Sequence, residues 1–332
     1  MVGRVLIHIG YHKTATTWMQ QRLFVPEHGY RQIARHTEVW NHLVGVHGFD
    51  FDPSAMRDAM QVGMSDLLPG EVPVISSEII SGHPFFGGIG NDAYAERIKQ
   101  VAPEALILIS VRHQQRMLTS IYMQYLSRGG VVSPEKFFSG DPDLGFFGFR
   151  PAHLEYHRLV SLYHELFGRQ NVLVVSQESV SKDLDAVARS IANFSGNRTF
   201  SSVLPTHRAV YAPSYPEYAV PLLRRVNKLQ RSVLNPAPAV RLGNGTGGLY
   251  RLIGAGMRRP PFSMLKNRIT PVSNCARSMF AKRFDDSNRA LMELVDTDLC
   301  WPKPEPTSGS EQFKADHQHQ RLEVGKKRVQ QM

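Results

Sequence analysis

The stretch from Val5 to Phe24, VLIHIGYHKTATTWMQQRLF, leaves this chain few folds to choose from. Val5 to Ile9 is a short apolar run of the kind that fills a parallel strand buried on both faces, and Gly10 ends it where the backbone must turn sharply. Ala15, Trp18, Met19 and Leu23 then recur at helical spacing. Thr14, Thr16 and Thr17 crowd the first turn, where backbone N–H groups have no helical partner. A strand feeding a helix through such a turn attracts anions. The free N–H groups, the helix dipole, the hydroxyls and the Lys13 ammonium converge on one polyanionic group, a phosphate or a phosphosulfate.

The spacing decides which kind of anion loop this is. A nucleoside-triphosphatase P-loop reads G-x-x-x-x-G-K-[ST]. Here Lys13 follows Gly10 by three residues and no glycine stands directly before it, so that pattern fails. Lys13-Thr14-Ala15-Thr16-Thr17 instead resembles the phosphosulfate-binding loop of the sulfotransferases, K-[TS]-[GA]-T-[TS] after a strand, at every position. The resemblance implies that Lys13, Thr14, Ala15, Thr16, Thr17 and the following Trp18 bind 3'-phosphoadenosine 5'-phosphosulfate (PAPS), the sulfuryl donor of that family.

A second strand–helix junction resembles the same family. Ala105 to Val111 reads as another buried strand, and Arg112-His-Gln-Gln-Arg116-Met-Leu-Thr-Ser120 leads from it into a helix. In sulfotransferases an Arg at a strand end and a Ser about two helical turns later bind the donor's 3'-phosphate, which implies that role for Arg112 and Ser120. Physically, a guanidinium grips a phosphate through two charge-assisted hydrogen bonds, and Ser120 shares a helix face with Arg116. The family often has Pro two residues after the Arg, where this chain has Gln114.

With 332 residues and 42% hydrophobic content, the chain can bury a sizeable core. It shows no charged-then-apolar leader and no apolar run near the roughly twenty residues that cross a bilayer, so a cytoplasmic location is expected. Cys275 and Cys300 are too few for a disulfide framework. Neither they nor His28, His36, His42 and His47 have partners at metal-ligand spacing, and no metal is expected.

Between the first helix and the next strand, Pro26 to Leu68 is polar, with a helix start at Asp52-Pro53. Val72 to Ser77 reads as a strand that delivers Glu78 to the carboxyl edge of the sheet, where α/β proteins place ligands. Transfer to a hydroxyl needs a base close to the attacking oxygen. Sulfotransferases use Glu or His, and the resemblance leaves both Glu78 and His83 as candidates, with Glu78 preferred because it follows the strand directly.

Farther on, Ser133-Pro134-Glu135 starts a helix, and Phe137, Phe138, Phe146, Phe147 and Phe149 either pack a long loop onto the domain or form an aromatic flap over the acceptor. Leu159, Leu162, Tyr163, Leu166 and Phe167 make an amphipathic helix ending at Gly168, followed by a strand over Val172 to Val175 and a helix reaching about Phe194. Tyr156 to Asp183 and Ser287-Asn288-Arg289-Ala290-Leu291 resemble the middle and the closing helix of bacterial sulfotransferases, and in the former Glu178 reads as a structural anchor.

From Tyr218 to Phe284 there is no Asp or Glu, and much of the net charge of +10 lies there. Such a stretch presents a positive field to PAPS, an acidic glycan or an anionic membrane surface. Leu249 to Arg259 and Phe262 to Ile269 interleave apolar and basic residues, as membrane-surface segments do. No zinc-finger spacing, RNP-type motif or basic heptad region points to nucleic acid. Gly243 to Gly248 reads as a hinge, and the residues after Trp301 as a polar tail too rich in Pro to pack.

The alternation of strands and helices predicts, independently of any family, one α/β domain over residues 1–300 with a central, mainly parallel sheet of about five strands flanked by helices. The expected activity is transfer of a sulfuryl group from PAPS to a hydroxyl or amine, with the acceptor an anionic or lipid-linked glycan. A nucleotide kinase would need the missing Walker glycine and an acidic Mg²⁺ ligand. A non-enzymatic binder of membranes or acidic glycans would need only the carboxylate-free stretch.

Overall fold

The computed structural model describes residues 4–140, 143–209, 216–238 and 269–302, together with short pieces between 253 and 265. The chain divides into two compact units, Met1–Trp301 and Pro302–Met332. The expected polar tail, the Gly243–Gly248 hinge and most of Leu249 to Arg259 lie outside the described residues.

The first unit is built on five parallel strands, β1 Leu6–Gly10, β2 Tyr30–Ala34, β3 Val72–Ser76, β4 Leu106–Val111 and β5 Val172–Ser176, in the order β2-β3-β1-β4-β5. Alternate residues of each strand enter opposite layers of core. Ile7, Ile9, Ile75, Ile107 and Ile109 face one layer, and Leu6, Val74 and Leu108 the other. A fully buried Ile or Leu contributes roughly 1.5–3 kcal/mol, so these short central strands are strongly specified. Helices Asn91–Val101, Gln114–Ser127 and Tyr156–Phe167 cover the first face. Helix Leu184–Ser195 covers the second, together with Trp18, Met19 and Leu23.

Two local features differ from the sequence reading. Tyr30–Ala34 is an edge strand inside the stretch read as polar, because Arg31 and Gln32 stay at the surface while Tyr30, Ile33 and Ala34 are buried. Its neighbour β3 carries Pro73, which pairs with Arg31 of β2 just before pairing to β1 begins at Val74, so the missing N–H interrupts no ladder to the central strand. The run after the anion loop is α-helical only over Thr16–Trp18 and continues as a π-helical turn, Met19–Leu23, closed by the Phe24 N–H on the Met19 carbonyl at 2.8 Å. The wider turn keeps Trp18, Met19 and Leu23 buried together against the sheet.

The order of the strands fixes where a ligand belongs. From central β1 the chain moves out to β2 and β3 on one side, then crosses to β4 and β5 on the other. The loops leaving β1 and β4 therefore part in opposite directions and open a crevice at their carboxyl ends. Arg112 follows the end of β4 directly, and Lys13 lies three residues past the end of β1. A cavity of about 300 Å³ lined by Arg4, Arg57 and Glu104 lies at the other edge, beside Val5 and Ala105.

Candidate functional site

The loop after β1 is tightly constrained. A Cβ on Gly10 would stand 2.2 Å from Thr16 Cγ2 and 2.8 Å from Ser110 Oγ, so only glycine fits under the turn. Lys13 and Ala15 both hold φ of 67°, in the left-handed region, with Thr14 between them outside it. Such alternation turns successive N–H groups toward a common concavity, the geometry of an anion nest. The Thr14 hydroxyl does not point into that concavity: it donates to the Tyr11 carbonyl at 2.6 Å and meets Ser110 Oγ at 2.7 Å. Thr16 is buried and Thr17 exposed. Trp18 is buried and its indole N–H donates to the His207 carbonyl at 2.7 Å, tying the helix to the turn Pro205–His207. Desolvation, and then the Arg128 and Arg112 guanidiniums, lower the Lys13 pKa, while Glu78 opposes them. The Lys13 side chain nevertheless reaches solvent, as a group that meets a diffusing anion must.

Arg112 is brought to the same loop from β4. Its Nη1 donates to the Lys13 carbonyl at 3.4 Å, and its own carbonyl accepts from the Tyr156 hydroxyl at 2.8 Å. Its Nε is buried without a hydrogen-bond partner. Burial lowers the Arg112 pKa, opposed by the Glu178 carboxylate, and a guanidinium stays charged through such a change. Glu178 accepts from the His113 N–H at 3.3 Å and from the Trp301 indole at 3.0 Å, the anchoring role read for it from sequence. Ser120 lies half-buried two turns along helix Gln114–Ser127.

Glu78 opens a short 3-10 turn, Glu78–Ser81, directly after β3. Its Oε2 accepts from Gln20 Nε2 at 3.0 Å, and the same amide reaches the Ser76 carbonyl at 3.3 Å. Burial raises the Glu78 pKa, but its own backbone N–H, the Gln20 amide, His12 and His36 outweigh that and hold it below the ordinary carboxylate range. Glu78 is therefore ionised at neutral pH. His83 Nδ1 accepts from the Phe85 N–H at 3.2 Å, which leaves Nε2 as its outward atom. Desolvation and then Arg128 lower its pKa.

Three residues of this cluster escaped the sequence reading. His12 is buried, with its ring centroid 5.2 Å from that of His83 and its Nε2 unpartnered. Its position directly before the motif lysine was the available signal. Gln20 orients Glu78, and nothing but helical register from Lys13 could have suggested it. Arg128 arrives from the far end of helix Gln114–Ser127 and had no local signal.

The aromatic loop is divided. Phe137, Phe138 and Phe149 are core, packed with Phe280, whereas Phe146 and Phe147 are exposed. The Arg150 guanidinium lies 5.2 Å from the Phe147 ring, and the Arg150 stem packs where a Gly87 side chain would be. Exposed Phe86, 5.1 Å from His83, continues this wall. Within the carboxylate-free stretch, helix Val220–Lys228 docks through Asn227 Nδ2, which donates to the Leu126 and Gly130 carbonyls at 2.8 Å each, beside Arg128.

Among the described residues no group of three or more His, Cys, Asp or Glu is arranged to hold a metal ion, and no helix is long and apolar enough to cross a membrane. No family model matches the sequence, and no curated protein matches it. Several solved structures are similar in their path through space. A sulfotransferase from Alicyclobacillus acidocaldarius is 17% identical, with a TM-score of 0.41, covering 68% of this chain and 93% of its own. A sulfotransferase domain from the curacin biosynthetic pathway is 11% identical, with a TM-score of 0.40, covering 77% of this chain and 98% of its own. A mouse sulfotransferase complexed with PAP is 15% identical, with a TM-score of 0.39, covering 87% of this chain and 88% of its own. At these values the function has to be argued from the residues themselves.

Proposed function

We propose that this protein transfers a sulfuryl group from PAPS to a hydroxyl or amine. The observation that carries this reading is the convergence of two cations from separate strand ends on one strained loop: Lys13 after β1 and Arg112 after β4, joined through the Lys13 carbonyl, with Arg112 Nε unpartnered. PAPS carries a phosphosulfate and a 3'-phosphate, so it offers one anion to each.

In the proposed reaction the acceptor oxygen forms a bond to sulfur as the bond from sulfur to the bridging phosphosulfate oxygen breaks. The leaving group is 3'-phosphoadenosine 5'-phosphate (PAP). The charge that develops on its terminal phosphate is met by Lys13 and the N–H groups of the Lys13–Thr17 loop, as in phosphoryl transfer. The acceptor's proton goes to Glu78, held in place by Gln20. Lys13 supplies the charge that a metal supplies in kinases. The acceptor lies along His83, Phe86 and Phe147, whose aromatic faces suit the apolar face of a sugar ring, and Arg128 suits an anionic one. An anionic or lipid-linked glycan is the acceptor class that fits both.

The test is calorimetric binding of PAP and 5'-AMP to wild type and to Arg112→Ala. The expected outcome is micromolar PAP binding, at least about tenfold weaker for 5'-AMP and for the variant, since charge-assisted bonds to a phosphate contribute about 1.5–3 kcal/mol. Equal binding of both nucleotides, or of neither, would return the protein to the class of non-enzymatic anion binders.

A further inference from the structure

A histidine stands in the middle of the central strand with no solvent exposure and no part in the chemistry above. His8 is paired across the sheet with Ser76 of β3, and Ser110 of β4 is paired with Gly10. His8 Nδ1 lies 2.7 Å from Ser76 Oγ, and its Nε2 lies 3.0 Å from Ser110 Oγ. Ser110 Oγ in turn meets Thr14 Oγ1 at 2.7 Å, and Thr14 Oγ1 donates to the Tyr11 carbonyl at 2.6 Å. The contacts form one continuous chain, running sideways through three strands and then up into the anion loop. Ser76, His8, Ser110 and Thr14 are all buried.

With the ring neutral, only one arrangement of protons satisfies the chain. A carbonyl can only accept, so Thr14 gives its single proton to Tyr11 and its oxygen accepts from Ser110. Ser110 has then used its proton and accepts from the His8 Nε2–H. The neutral ring that carries its proton on Nε2 presents Nδ1 as an acceptor, and Ser76 donates to it. Burial favours that neutral ring, lowering the His8 pKa to about 4 against a smaller opposing pull from Glu78. Gly10 belongs to the same arrangement: a Cβ there would sit 3.1 Å from His8 Nε2 and 2.8 Å from Ser110 Oγ, in the space the chain occupies.

We propose that this chain holds the anion loop in its binding shape and that His8 is the positioning residue at its head. The fixed Nε2–H orients Ser110, Ser110 orients Thr14, and Thr14 clamps the Tyr11 carbonyl across the turn. Lys13 and Ala15 stand at positive φ in that turn, and such conformations persist only where the surroundings over-determine them. The chain supplies that constraint from beneath, so that the backbone N–H groups face the crevice before any ligand arrives. The consequence for nucleotide affinity rests on the donor reading above, whereas the tautomer and the rigidity of the loop do not.

The experiment measures three things on the full chain: the His8 tautomer and its titration by long-range ¹H–¹⁵N NMR, amide exchange over residues 13–17, and PAP binding by calorimetry. The variants are Thr14→Val, which removes the donor to the Tyr11 carbonyl and frees Ser110 and the His8 ring to reverse their protons, and Thr14→Ser, which restores the donor. Wild type should show the Nε2–H tautomer, unchanged from pH 8 to about 5.5. Thr14→Val should exchange the loop amides about tenfold faster or more and weaken PAP binding about tenfold, the loss expected for a buried carbonyl left unpaired, and Thr14→Ser should recover both to within about twofold. In wild type an Nδ1–H tautomer or a His8 that titrates near its ordinary value, or a Thr14→Val protein with wild-type loop exchange, would overturn the proposal. Should Thr14→Val fail to fold, the wild-type tautomer and the behaviour of Thr14→Ser still decide it. A wild type that binds no PAP overturns the donor reading alone, because tautomer and exchange are read without nucleotide.

Discussion

Three imidazoles are buried in and beside this site, and they make the protein's stability steeply dependent on pH. Burial lowers His8 to about 4. It lowers His12 to about 4, with His83, Lys13 and His36 pushing the same way and Glu78 opposing. Burial lowers His153 to about 3, helped by His12 and His83. In the unfolded chain each titrates near 6.5. Between pH 4 and 6.5 the unfolded state therefore binds more protons than the folded one, so stability is whole above pH 6.5 and is lost as pH falls through that window. One pKa unit corresponds to about 1.4 kcal/mol, so these three approach a slope of about 4 kcal/mol per pH unit below about pH 6, and His28, His83, His113 and His164, also lowered by burial, add to it. By about pH 5 the three alone remove about 6 kcal/mol, comparable to the whole stability of a marginal domain.

The assay is urea unfolding at pH 7.5, 6.5, 5.5 and 5.0 with the m-value held constant, alongside proton uptake measured calorimetrically in buffers of different ionisation enthalpy. Uptake on unfolding should be at least about two protons near pH 5.5, with His28, His83, His113 and His164 adding to the three buried rings. His153→Phe provides the internal control. Its ring fills the space beside Gly88, where a Cβ would meet His153 Nδ1 at 2.0 Å, and that nitrogen has no hydrogen-bond partner to lose. The variant should reduce the slope by up to about 1.4 kcal/mol per pH unit and gain on wild type as the pH falls. A midpoint that does not move between pH 7.5 and 5.5, or an uptake below one proton, would refute the assignment of these rings as buried and neutral. Carboxylates held below their ordinary range, such as Glu78 and Glu71, add to the loss only toward the low end of this window, so the change between pH 7.5 and 5.5 is the part that reports the imidazoles.

Other consequences are simpler to state. Lys13→Ala should lower turnover by about 10²–10³-fold while weakening PAP binding by less than about tenfold, and equal losses in both would remove its transition-state role. Glu78→Gln should cost about 10²–10⁴ in kcat, and a larger loss in His83→Gln would move the base to His83. Gly10→Ala should destabilise the fold by about 1–3 kcal/mol in urea, since its Cβ would overlap Thr16 Cγ2, and should abolish nucleotide binding; an unchanged midpoint would contradict the packing beneath the loop.

The sheet was legible because buried parallel strands are written as largely apolar runs, which four of the five are, His8 and Ser110 being the polar residues inside them. β2 was not, because Arg31 and Gln32, on opposite faces of an edge strand, both stay at the surface, so the run reads as polar loop. Lys13 and Arg112 were legible because each lies within three residues of its strand's end, and topology alone then brings them together. Their neighbours were not. Gln20 approaches Glu78 only because a π-helical turn sets its direction, and Arg128 reaches Lys13 and His83 from the far end of a helix. Such contacts depend on packing, which local pattern does not encode.

The same contrast explains why Thr14 was misleading as a side chain. A hydroxyl at a helix start beside a lysine reads as a ligand for an anion, yet this one is turned down toward Ser110 and Tyr11, leaving the backbone to face the crevice. The choice follows from the strand beneath. A histidine at position 8, two residues before a glycine that has no side chain to block it, offers a donor exactly one serine away from the loop, and a buried donor must find an acceptor. The polar residue in the middle of an otherwise apolar strand is thus the feature that connects the core to the site. Its mutation, far from any ligand, should be felt first in the shape of the Lys13–Thr17 loop and only then in global stability.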